Sequence, residues 1–147
     1  MTELEQLNIN REFFKAAIKR QIMRCIEKDY YKAGVFTLDN KTTIVTDIVK
    51  EIIQNDFAEY INIHIRTSQY ITEVLFENGS TLKVVRGSDN ARGYKFNDII
   101  YDSIIENHVV SMIILPRLIP YYIKNYDNNE FRIDCTRLNM RLVECEI

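Results

Sequence analysis

Lys41 and Thr42 are the first residues whose types and order could do chemistry. A lysine followed by a hydroxyl residue at a helix start can meet a nucleotide: the ammonium neutralises phosphate oxygens and the hydroxyl joins a magnesium shell. That chemistry also needs glycines upstream, so that successive backbone N–H groups wrap the β-phosphate. Here the upstream run is Gly34-Val35-Phe36-Thr37-Leu38-Asp39-Asn40-Lys41-Thr42. The second glycine is missing and one residue too many follows Gly34. Leu38, Asp39 and Asn40 would crowd a phosphate, and Asp39 would repel it. The plainer reading of the same residues is a capped helix start with Lys41 in solvent.

Other chemistries have thinner support. Cys25, Cys135 and Cys145 are widely spaced, form no CxxC pair, and the two histidines, His64 and His108, lie far apart. A zinc site from these would need coincidence in space, so no metal is expected and buried, reduced thiols are. No local nucleophile signature accompanies any serine, cysteine or histidine.

The elements that must position these residues follow from periodicity. A helix is expected over residues 10–28, with Asn10 as N-cap and Phe14, Ala17, Ile18, Ile22, Cys25 and Ile26 at three- and four-residue steps. Its other face carries Lys15, Lys19, Arg20, Arg24 and Lys28, read as a solvated face or as a surface for an acidic partner or phosphate backbone. Gly34 is expected to break the chain before a short apolar piece, residues 35–38. A second helix starts near Lys41, capped by Asp39 or Asn40, along the stripe Ile44, Val45, Ile48, Val49, Ile52 and Ile53. So many β-branched residues need tertiary burial to stay helical.

From Tyr60 the period is two: Ile61, Ile63 and Ile65 alternate with Asn62, His64 and Arg66, the pattern of a strand with one wet face. Residues 73–77 and 81–85 flank Asn78-Gly79, which predicts a β-hairpin with a type I′ turn. Gly79, Gly87 and Gly93 fall close together, so residues 86–97 read as a permissive polar loop. A strand at Ile99-Ile100-Tyr101 ends at Asp102. Residues 103–115 fit helix or strand and are stopped by Pro116 and Pro120. A polar turn over residues 125–130 precedes two last strands, residues 131–135 and 142–147. The fold class is α+β, or small α/β: one domain over residues 1–147, with two N-terminal helices on a mixed sheet of five or six strands.

Strand, Lys-Thr-Thr, helix, strand, hairpin, glycine loop and a strand ending in aspartate is the order of a nucleotide-binding α/β core. Phe76-Glu77-Asn78-Gly79-Ser80-Thr81-Leu82-Lys83-Val84-Val85, then Ser88-Asp89-Asn90-Ala91-Arg92-Gly93-Tyr94-Lys95-Phe96-Asn97, then Ile99-Ile100-Tyr101-Asp102, resemble the ATPase domain of tailed-phage large terminase subunits. The later Ile114-Leu115-Pro116-Arg117-Leu118-Ile119-Pro120 is similar to a downstream segment of that family, so the resemblance spans about residues 40–120. It implies that Lys41, Thr42 and Asp102 form the nucleotide site, with ATP and magnesium as cofactors of a working member. It also implies that Arg92, with Asn90 and Tyr94 on the same loop, contacts phosphate or a neighbouring subunit; otherwise Arg92 pairs with Asp89 or Asp98. The glutamate that should follow the aspartate is replaced by Ser103. A neutral hydroxyl cannot act as general base, and loss of that base costs about 10²–10⁴ in rate. Glu106 is a helical turn onward. No catalytic residue is assigned, and efficient hydrolysis is not expected. The nuclease unit of large terminases is not expected in the residues given after Pro120.

The chain has 147 residues, 19 basic against 21 acidic, a formal charge of −2 and 46% hydrophobic residues. This composition excludes a disordered or low-complexity protein and supplies no global field toward nucleic acid or membrane. No apolar run is long enough to span a bilayer, and the start, Met1-Thr2-Glu3-Leu4-Glu5, lacks the basic charge of a signal peptide; the expected location is the host cell cytoplasm. The expected function is a degenerate terminase-like domain of a phage or mobile element that binds a packaging or host protein, or DNA. Two alternatives stand beside it: an unrelated small viral inhibitor of a host defence enzyme, and a live ATPase with an unusual phosphate loop. Tyr30-Tyr31 and Tyr121-Tyr122, as exposed aromatic pairs, would suit a protein partner or a second copy of the chain.

Overall fold

The computed structural model describes residues 2–68, 71–86, 94–119, 122–124, 131–133 and 141–147. Helix α1 runs Glu3–Glu27, seven residues earlier than the apolar stripe predicts, because Thr2 and Glu5 close a reciprocal capping box. Asn10 is therefore helix interior, its amide donating to Glu146 Oε2 at 2.7 Å. Phe14, Ala17, Ile18, Ile22 and Cys25 are buried as expected, and Gln21 joins them. The basic face is largely paired: Lys15 with Glu51, Lys19 with Asp56, and Arg24 turned inward to Asp98.

The end of α1 is closed by a distant turn. Asn78 Nδ2 donates to the carbonyls of Cys25 (2.7 Å), Ile26 (3.2 Å) and Lys28 (3.0 Å), and Ser80 Oγ donates to Lys28 O at 2.6 Å. These satisfy the orphan carbonyls of a helix C-terminus. The chain breaks at Tyr30, with φ of 55°, rather than at Gly34. Gly34 sits inside strand β1, Lys32–Thr37, where a Cβ would stand 2.9 Å from the Phe96 ring. What glycine supplies there is space for that ring, not a bend.

A 3-10 turn, Asp39–Lys41, joins β1 to helix α2, Thr42–Asp56. Lys41, rather than Asp39 or Asn40, stands at the N-cap, and its side chain makes no capping hydrogen bond; Asp39 and Asn40 lie in the 3-10 turn before it. Val45, Ile48, Val49 and Ile52 are buried, while Ile44 is exposed. Fully burying each such side chain contributes about 1.5–3 kcal/mol, more than the ~0.7 kcal/mol a poor helix former costs. Strand β2, His64–Thr67, is a wet-faced strand that starts later than predicted; Ile61 lies in the preceding turn. Strands β3, Thr72–Leu75, and β4, Thr81–Arg86, form the predicted hairpin. Its turn is not type I′: only Gly79 has positive φ, 84°, and its N–H donates to Phe76 O, which gives a three-residue loop ending on a left-handed glycine.

Strand β5, Asp98–Asp102, is followed by helical turns: α3, Asn107–Val109, a π segment, Val110–Ile114, and a 3-10 turn, Leu115–Arg117, that contains Pro116. Strands β6, Tyr122–Lys124, and β7, Phe131–Ile133, pair with each other; β6 has no counterpart in the sequence reading. Strand β8, Leu142–Cys145, completes a mixed six-stranded sheet in the order β2-β3-β4-β1-β5-β8. The β4-β1-β5-β8 part is parallel and the β2-β3-β4 part antiparallel. Helices α1 and α2 cover one face, where Ile18, Val35, Val49, Leu82 and Ile100 meet. Phe36, Val85, Phe96 and Ile99 face the other side, under Ile105, Ile114 and Leu118. The observed class is the expected one, helices on a mixed sheet. No helix among the described residues is long and apolar enough to cross a membrane.

Candidate functional site

In an open sheet with parallel strands, ligands meet the crevice outside the carboxyl ends of the strands, where the order reverses. That point lies between β1, which feeds α2 and the β4 side, and β5 on its other flank. One residue beyond the paired Phe36 and Tyr101 stand Thr37 and Asp102, both fully buried. Among the described residues, Thr37 Oγ1 has no hydrogen-bond partner.

Lys41 reaches this point from the turn before α2. Its Nζ lies 3.2 Å from Asp102 Oδ2 and 2.8 Å from the backbone oxygen of Ile147. The second Asp102 oxygen accepts the Ile104 N–H at 3.2 Å, which fixes the carboxylate at the strand end. The lysine and the aspartate, 61 residues apart in sequence, are thus brought together. Thr42 follows as the first residue of α2. A cleft of about 540 Å³ opens beside the pair, walled by the first turns of α1, the start of α2 and the residues after β5. Leu4, Leu7, Ile44 and Ile104 line it and are exposed.

Among the described residues, the others singled out in the sequence do not join this pair. Gly34 is held in the middle of β1, so the connection from Thr37 to α2 is Leu38 and one tight turn, too short to wrap a phosphate with backbone N–H groups. Ser103 is exposed and its N–H donates to Cys145 O. Glu106 points to solvent and pairs with His108 at 3.1 Å. Tyr94 packs on the opposite face of the sheet, against Phe96, with the Lys83 ammonium 4.8 Å from its ring centre. Asn90, Arg92 and Asp89 lie outside the described residues, as do Cys135 and Tyr121.

Asp98, offered in sequence as a partner for Arg92, belongs to a different constellation. It is buried at the start of β5, where Gln21 Nε2 donates at 2.7 Å, Arg24 Nη1 at 2.9 Å, and the Tyr31 hydroxyl also donates. Burial, then the Asp98 charge, pushes the Tyr31 phenol up, and the same two causes push up the Cys25 thiol. Burial works against the Arg24 charge, but Asp98 outweighs it and raises the guanidinium further. The sequence signal was Gln21, the polar residue set in the apolar stripe of α1. The Tyr30-Tyr31 pair is split by this: Tyr30 is 76% exposed and Tyr31 half-buried. His64 is exposed, and Cys25 and Cys145 are buried with free thiols.

No family model matches the chain, and no curated protein matches it. Among solved structures it is similar to the large terminase from a thermophilic bacteriophage in two crystal forms, at 10% and 11% identity and a TM-score of 0.49 in each. The alignments cover 88% of this chain and 36% and 35% of that one, so the chain spans about a third of the terminase's length.

Proposed function

We propose that this chain is a binding module of a phage or mobile element, built on a nucleotide-core frame and degenerate as an ATPase. One observation carries the reading: Lys41 is held between Asp102 and the Ile147 backbone at the point where a phosphate and its metal would lie. The cation that would bind phosphate and the anion that would orient magnesium neutralise each other. The tight turn after β1 and the serine at position 103 remove the phosphate cradle and the general base. The exposed apolar rim of Leu4, Leu7, Ile44 and Ile104 then suits the cleft to a protein partner, of the packaging machinery or the host, because covering it removes apolar surface from water. DNA and a second copy of the chain are the other partners such a module takes.

Magnesium and ATP should give no turnover and no rise in melting temperature. Capture of a partner from infected-host extract should fall when Leu7 and Ile104 are both changed to glutamate. Brisk ATP turnover that Lys41→Ala abolishes would instead establish the live-ATPase reading. The antiparallel β2-β3-β4 run is the feature that favours an unrelated inhibitor; stable capture of a host defence enzyme, with its activity lost, would support that reading.

A further inference from the structure

A second cavity, of about 380 Å³, lies at the other end of α1, within the roughly 300–1,000 Å³ range of small-molecule sites. Its apolar wall is Ile26, Tyr60, Ile61, Ile63 and the Phe76 ring. Phe76 is buried and Ile63 half-buried, but Ile61 is 83% exposed and Tyr60 41%. This wall is anchored on both sides. Tyr60 packs on Phe57, ring centres 6.1 Å apart, and the hairpin turn is tied to the end of α1 through Asn78.

The charged groups among the described lining residues are two carboxylates, Glu59 and Glu77, with no lysine or arginine among those residues. Glu77 is oriented by Asn62, whose amide donates to Oε2 at 3.1 Å; that neutral donor adds no positive charge of its own. The neighbouring lysine at the end of α1, Lys28, turns its ammonium over the Tyr31 ring at 5.4 Å. Negative charge at the rim, two aromatic rings and an exposed isoleucine are complementary to one kind of occupant. We infer that this cavity is a binding site for a small organic cation with an apolar body: the body covers Ile61 and Phe76, and the positive head meets Glu59, Glu77 and the Tyr60 ring. The inference stands apart from the Lys41–Asp102 cleft and needs nothing from it.

Titration of the ¹⁵N-labelled full chain with benzyltrimethylammonium, benzyl alcohol and phenylacetate separates the contributions. Benzyltrimethylammonium should shift the amides of residues 59–63 and 76–78 saturably, about tenfold more tightly than benzyl alcohol, while phenylacetate leaves them in place. Added salt should weaken the cation alone. Glu59→Gln, at an exposed position, should weaken the cation about three- to tenfold and leave benzyl alcohol unchanged. Glu77→Gln should act in the same direction; if it disturbs the turn, Glu59→Gln decides. Equal affinity for cation and alcohol, shifts centred elsewhere, or no saturable shift would overturn the inference.

Discussion

Asp98 and Asp102 open and close the same strand, are both buried, and each has a cation beside it, yet only one borders open space. Asp98 receives Gln21, Arg24 and Tyr31, and the gap next to it is about 10 Å³, at the limit for a single water. Asp102 receives Lys41 and the Ile104 N–H, beside a cleft of about 540 Å³. A buried carboxylate is therefore not by itself the mark of a site. What distinguishes the two ends is the donor set and the space beside it: three side-chain donors with almost no gap at Asp98, one side-chain and one backbone donor next to a cleft at Asp102. At the Asp98 end, α1 supplies two of the three donors; at the Asp102 end its first turns carry Leu4 and Leu7, whose apolar side chains are exposed.

The comparison can be broken most directly by removing the two charges. Asp98→Ala leaves Arg24 facing a buried vacancy and should cost about 3–5 kcal/mol in urea unfolding. Lys41→Ala should cost less, about 1–2 kcal/mol, because water from the cleft reaches Asp102 in its place. Equal losses would show the two ends to be energetically alike. Tyr31→Phe, which removes one donor to a charged acceptor, should cost about 1.5–3 kcal/mol.

Alkaline titration sharpens the same contrast. Burial, then Asp98, raises Tyr31 and Cys25 above their usual values of 10.0 and 9.0. Burial also pushes Cys145 up to about 11, with Arg20 opposing and Asp102 and Glu144 reinforcing. The fold keeps protons that the unfolded chain releases. This stability is present below about pH 9 and is lost as pH rises, by about tenfold in the folding constant per unit for each group that has ionised only when unfolded. The Cys145 share ends near pH 11. Cys25→Ala with Tyr31→Phe should flatten the decline more than Cys145→Ala, because two of the three groups sit near Asp98. Unfolding midpoints from pH 7 to 11 provide the check.

Much of the frame was legible because its cause is local. The stripes of α1 and α2, the hairpin at Asn78-Gly79 and the strand closed by Asp102 follow from side-chain period and turn chemistry over a few residues. Gly34 misled, because a glycine in a strand and a glycine in a loop look the same until the Phe96 ring that needs the space, 62 positions on, is known to lie there. Arg24 misled for the same reason: it reads as one more exposed cation until Asp98, 74 positions away, is brought beneath it. The start of α1 was missed although Thr2 and Glu5 signal it, since the apolar stripe begins only later.

Sequence alone determined the periods, the turn residues, the class of fold, and the absence of a glutamate after Asp102. Those are properties of neighbouring residues, set by backbone sterics and by the alternation of apolar and polar side chains. Tertiary structure decided the strand order, which buried aspartate has a cleft beside it, and that Lys41 meets Asp102 at its edge. Pairings of that kind depend on how distant segments fill one volume, and no local pattern encodes which of two buried carboxylates will be left with room beside it.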